Sequence, residues 1–135
     1  MTKHPGLGVM IHALGGGSRE HPDKYKGREV ASASIDDNAL FLGFTDGVKI
    51  KIFDDGQLCC ERRYMKTDDD VSSLVGGKIL EFYLKPGPVG GGDWGEHEIM
   101  FLEIATDKGF VTISNHNEHN GYYGGFGMNI DEISD

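Results

Sequence analysis

The sequence predicts a mainly β (α+β) domain: an antiparallel curved sheet or sandwich of about 7-8 strands, with one short helix near 68-75. Three observations predict it. Glycine supplies 21 of the 135 residues and proline only four, against an average glycine share of about 7%; that balance points to many tight turns. Apolar and polar residues alternate with period two in several short runs. Turn dipeptides separate those runs. The length suits one domain that needs no disulfide or metal to hold a core.

Residues 1–26 are weakly patterned. "LGGGSREHPDKYKGRE" mixes glycine, proline and charge and reads as an N-terminal arm, leaving 27–135 as a single β-rich domain. "EVASASID" sets Val30, Ser32 and Ser34 against Ala31, Ala33 and Ile35, a first strand. "ALFLGFT" and "GVKIKIFDDG" follow, split by the hairpin dipeptide Asp46-Gly47, with Val48, Ile50 and Ile52 facing one way and Lys49, Lys51 and Phe53 the other. After Asp54-Asp55-Gly56, "QLCCERRYM" reads as the third strand of this meander.

"TDDDVSSLVGGK" changes period. Thr67 suits an N-cap, Asp68 to Asp70 suit the positive end of a helix, and Val71, Leu74 and Val75 make one stripe that Gly76-Gly77 stops. The expectation is a helix of about two turns, held by packing. "KILEFYLK" is a strand and "PGPVGGGDWGEHE" a flexible loop with Trp94 near its tip. "FLEIATDKGFVTI" (101–113) repeats the grammar of "FLGFTDGVKIKI" (41–52), so a second hairpin is expected. In "ISNHNEHNGYYGGFGM", Asn120-Gly121 marks a turn, and Phe126, Met128 and Ile130 alternate in a last strand.

The net charge is −9. Residues 1–85 carry 12 Lys/Arg and 13 Asp/Glu; residues 86–135 carry one and nine. An acidic C-terminal part disfavours direct nucleic-acid binding and favours a basic protein partner or a cation. Solubility alone explains the same balance. The two cysteines, Cys59 and Cys60, are adjacent and form no framework, which fits a reduced, cytoplasmic protein. "LGVMIHAL" is too short and broken for a signal segment, and no run reaches membrane-spanning length.

Candidate chemistry is sparse. His116 and His119 form H-x-x-H beside Glu118 and Asn115, and His97 lies between Glu96 and Glu98. Positions three apart on a strand face opposite ways, so this pair chelates only across a bend, and no zinc spacing is present. No metal or cofactor is therefore expected. Cys59 and Cys60 stand near Arg62 and Arg63, and Ser114 near His116, yet no nucleophile elbow appears. "GGGS" and "GGGD" lack the lysine of a phosphate loop. The expectation is not an enzyme but a binding protein. Its contacts would come from Asp93, Trp94, Glu96, Glu98, His116, Glu118, His119, Asn120, Tyr122 and Tyr123. The alternative is a protein that sequesters a small ligand such as a nucleotide. Arg62 and Arg63 would then hold phosphates, and Asn115 and Asn117 would supply hydrogen bonds. A metal-dependent enzyme is the third reading.

Cys59-Cys60-Glu61, Leu74-Val75-Gly76, Thr106 to Ile113 and Asn120-Gly121-Tyr122-Tyr123 occur in an order that resembles a family of small domains of unknown function from bacteriophage and some bacterial proteins. The resemblance covers about 27–132. It departs at His119, where the family usually has Ser, and at Gly124-Gly125. It implies a phage or mobile-element origin, and by analogy an accessory protein acting in the host cytoplasm. Such a protein would inhibit a host defence factor, in the anti-CRISPR manner or otherwise, by meeting a basic, nucleic-acid-binding effector; a homo-oligomer is also compatible.

Overall fold

The computed structural model describes residues 22–54, 61–90, 96–119 and 126–133. Eight strands build it: β1 (Val30–Ile35), β2 (Ala39–Phe44), β3 (Lys49–Asp54), β4 (Glu61–Lys66), β5 (Ile79–Gly90), β6 (Glu96–Thr106), β7 (Gly109–His119) and β8 (Met128–Ile133). They form two four-stranded antiparallel sheets, ordered β1-β2-β3-β8 and β4-β7-β6-β5. Leu40, Leu42, Ile50, Ile52 and Ile130 of the first sheet share one core with Met100, Leu102, Ile104, Val111 and Ile113 of the second. This is a β-sandwich. Each such side chain stabilises the fold by about 1.5–3 kcal/mol on burial.

Turn chemistry sets the hairpins. Gly47 has φ +92°, and Asp46 Oδ1 accepts from the Val48 amide at 3.0 Å. At the second hairpin Thr106 Oγ1 donates to the Gly109 carbonyl at 2.9 Å and accepts from the Lys108 amide.

Three expectations are corrected. First, β4 does not continue the meander: it crosses to the second sheet and pairs with β7, while β8 takes the place beside β3. Ile130 sits opposite Ile52, both buried, so β8 continues the apolar core row of β3. Second, the helix is a single 3-10 turn, Val71–Leu74, capped by Asp70 rather than Thr67. The Asp70 carboxylate accepts from the Ser72 amide and hydroxyl. Thr67 instead donates to the Thr112 carbonyl and accepts from the Asp69 amide. Such local side-chain bonds compete with a helix, and one turn is too short to propagate. Val75 lies past the turn, 44% exposed. Third, the loop is shorter than expected, because β5 runs on to Gly90 and β6 begins at Glu96. Pro86 is accommodated at a bulge on an edge strand.

The folded part also reaches back past residue 27. Tyr25, in the 3-10 turn Pro22–Tyr25, is fully buried, stacks on Phe44 at 5.6 Å and donates to Glu132 at 2.7 Å. Backbone bonds Gly27 N to Ile79 O and Ile79 N to Arg28 O tie this start to β5.

Candidate functional site

Strand alternation divides the β4-β7-β6 ribbon into two chemically distinct faces. Arg62, Tyr64 and Lys66 of β4 stand opposite Glu118, His116 and Ser114 of β7, which stand opposite His97, Ile99 and Phe101 of β6. These residues share the outer face. Arg63 stands opposite Asn117, itself opposite Glu98, and Met65 stands opposite Asn115, itself opposite Met100. These rows face the core.

The outer face carries a locked polar-aromatic cluster. The Tyr64 and His116 rings stack with centroids 4.6 Å apart and planes 3° from parallel. Arg62 and Lys66 place their cations 4.8 and 5.4 Å from the Tyr64 centroid. The Tyr64 hydroxyl donates to Glu118 Oε2 at 2.5 Å. Burial, then this bond, pushes the phenol up to about 12, and the bond holds the Glu118 carboxyl below its ordinary value.

Proton positions follow from the hydrogen bonds. The Ser114 hydroxyl donates to the Lys66 carbonyl at 3.1 Å. His116 Nε2, 2.8 Å from Ser114 Oγ, must then be the donor to that oxygen. His116 Nδ1 therefore carries the lone pair and accepts from His97 Nε2 at 2.8 Å. The neutral ring this requires is favoured, because burial, then the charges of His97 and Lys66, pushes His116 down to about 4. Ser114 thus accepts a hydrogen bond from His116 rather than donating one to it, the reverse of an activated nucleophile.

The core-facing rows are polar at one end. Arg63 Nη1 donates to both Asp54 oxygens at 2.8 and 3.0 Å, joining the two sheets, and Asp54 Oδ1 also accepts from the Gly127 amide at 2.9 Å. The two side chains are only 7% and 10% exposed. Asn115 is buried and donates to the Met100 carbonyl at 3.1 Å; Glu98 and Asn117 are fully buried. A cleft of about 260 Å³ opens at this end, with Lys51, Phe53, Arg63, Met65 and Asn115 in its wall.

The structure thus separates the residues singled out from sequence. His116 and Glu118 lie together on the outer face with Arg62. Glu98 is buried rather than part of an exposed acidic surface, and Asn115 and Asn117 are likewise buried. Arg62 and Arg63 point to opposite faces and do not form one phosphate clamp. Asp93, Trp94, Asn120, Tyr122, Tyr123, Cys59 and Cys60 lie outside the described residues, as do the side chains of Glu96 and His119. Sequence reasoning missed Tyr64, Asp54 and the pairing of His97 with His116. The first had a signal, an aromatic between Arg62 and Lys66 at period two; the others depend on cross-strand register. Among the described residues no three His, Cys, Asp or Glu side chains converge on a metal position, and no helix is long and apolar enough to cross a membrane.

Residues 23–127 match a family described as Domain of unknown function (DUF7448). No curated protein and no solved structure matches the chain.

Proposed function

The chain belongs to that family, whose description carries no activity, and we propose from its own surface that it is a non-catalytic binding domain whose contact face is the outer face of the β4-β7-β6-β5 sheet. The observation that carries this reading is the locked Tyr64–His116 stack flanked by Arg62 and Lys66. Its rings and protons are committed before any partner arrives, so it offers a rigid surface, the property that lowers the entropy cost of association. Phe101 and the 47% exposed Tyr83 extend the aromatic character across the same sheet.

The partner class is a protein with a basic surface, supported by the net charge of −9. In the narrowest form it is a host nucleic-acid-binding defence factor, and this chain a phage-type inhibitor of it; that form rests on the sequence resemblance. Net charge would steer the encounter while the platform makes the contact. Among the described residues, four acidic groups of the C-terminal part are already engaged. Glu103 pairs with Lys85, Asp107 accepts from the Lys78 amide, Glu118 from Tyr64, and Glu132 from Tyr25 and Lys24.

Affinity capture from host cells tests the reading, with wild type against His116→Ala/Tyr83→Ala, which removes two rings of the face and leaves the net charge unchanged. The expected result is a partner retained by wild type, released by rising salt and depleted by the double variant. A partner held equally by both proteins, or one indifferent to salt, would contradict it.

A further inference from the structure

We propose that the cleft between β3 and β4 is a small-molecule site that takes an uncharged planar heterocycle of nucleobase kind. This goes beyond the contact face, with which the cleft shares the edge strand β4 and the side chain of Tyr64.

The first argument is where polarity sits. Along the core-facing side of β7 the sequence runs Val111, Ile113, Asn115, Asn117, and along β6 Ile104, Leu102, Met100, Glu98; all are buried. Both rows change from apolar to polar at the same end, beside Arg63 and Asp54. Packing alone favours apolar side chains there, since a buried amide or charge must recover its desolvation through hydrogen bonds. A local break in the core pattern of this kind is expected where a binding site overrides stability. The cleft opens at that end, and Asn115 and Arg63 line it.

The second argument is chemical class. The wall holds two cations, Lys51 and Arg63, and two carboxylates, Asp37 and Asp54. These balance, and Arg63 and Asp54 already form a two-bond pair, so a charged ligand gains little. Asn38 and Asn115 also line the cleft. A carboxamide presents a donor and an acceptor side by side, the pattern that matches the edge of a nucleobase. The bond from Asn115 Nδ2 to the Met100 carbonyl fixes which way that amide points. Phe53 and Met65 supply apolar wall. At about 260 Å³ the space lies just under the range of roughly 300–1,000 Å³ for drug-sized ligands, which suits one or two fused rings.

The test is amide-resolved NMR titration of the full chain with adenosine, guanosine, cytidine and uridine separately at millimolar concentration. The expected result is saturable shifts at Lys51, Phe53, Arg63 and Met65 with at least one nucleoside. Affinity should fall by about tenfold or more, the loss of one good hydrogen-bonded pair, in Asn38→Ala and in Asn115→Leu. Asn38 is exposed, so its substitution tests the site without threatening the fold. No saturable shift with any of the four, or affinity unchanged in Asn38→Ala, overturns the proposal. Asn38→Ala and Asn115→Leu leave His116 and Tyr83 in place, and neither of those two lines the cleft, so the two readings fail separately.

Discussion

The Asp54–Arg63 pair should behave as a coupled unit that clamps the two sheets. Asp54→Asn keeps an oxygen for the Gly127 amide but removes the charge that receives both Arg63 bonds. Breaking a buried ion pair at one partner typically costs about 3–5 kcal/mol. With side chains 7% and 10% exposed and the Gly127 bond retained, the lower end, about 3 kcal/mol, is expected. Arg63→Met should cost a similar amount, because it strands the Asp54 charge. In the double variant no buried charge of this pair remains, and methionine fills the stem volume of arginine, so its loss should fall well short of the sum. The coupling energy should be about 1.5–3 kcal/mol. Urea unfolding measures it: a loss of about 3 kcal/mol moves the midpoint by roughly 1–3 M at the slope usual for small domains. Single losses that add to the double within about 0.5 kcal/mol would refute the clamp.

Two further outcomes follow from the outer face and the β5 edge. Burial pushes His116 from 6.5 down to about 4, so between these values the unfolded chain binds the proton that the fold refuses. Stability is then full above pH 6.5, falls as pH drops toward 4 and levels off below; discounted for partial exposure, the fall is about 1–2 kcal/mol. Urea unfolding at neutral and acid pH should show a smaller fall in His116→Phe than in wild type, and an equal fall would refute the assignment. Gly87→Ala should lose about 1–3 kcal/mol, because the added methyl would sit 2.8 Å from the Ile99 carbonyl oxygen and 3.1 Å from Ile99 Cβ. An unchanged melting temperature would mean the β5 bulge yields freely.

Legibility followed the range of the forces. The β2-β3 and β6-β7 hairpins were readable because their information is local: Asp46-Gly47 and Thr106 to Gly109 specify turns through side-chain-to-backbone bonds a few residues apart. The place of β4 was not, because its choice of β7 over β3 is set by pairing between residues some fifty positions apart, such as Arg63 with Asn117, which no local pattern encodes. The short helix was misread in length because Asp70 and Ser72 satisfy each other locally. The candidate site was half legible. His116 and Glu118 are singled out beside an Asn-Gly turn, whereas β7 runs on through both to His119, and Arg62, expected on a strand, stands opposite Glu118 on β4.

That register changes what the adjacent polar residues mean. A run such as Arg62-Arg63-Tyr64, or Asn115-His116-Asn117-Glu118, reads on paper as one dense patch and invites one ligand. On a strand it is two patches, separated by the thickness of the sheet. Arg62 cannot help Arg63 hold an anion, and His116 cannot join the asparagines on either side of it. The acidic balance divides the same way, since Glu98 is consumed inside and Glu118 is tied to Tyr64. A one-residue slip of β4 against β7 would exchange Arg63 for Arg62 in the interior and release Asp54, so a single register decides both the outer platform and the inner clamp. Loss of the clamp should therefore reach the platform through β4 itself, which carries Arg63 on one face and Tyr64 on the other.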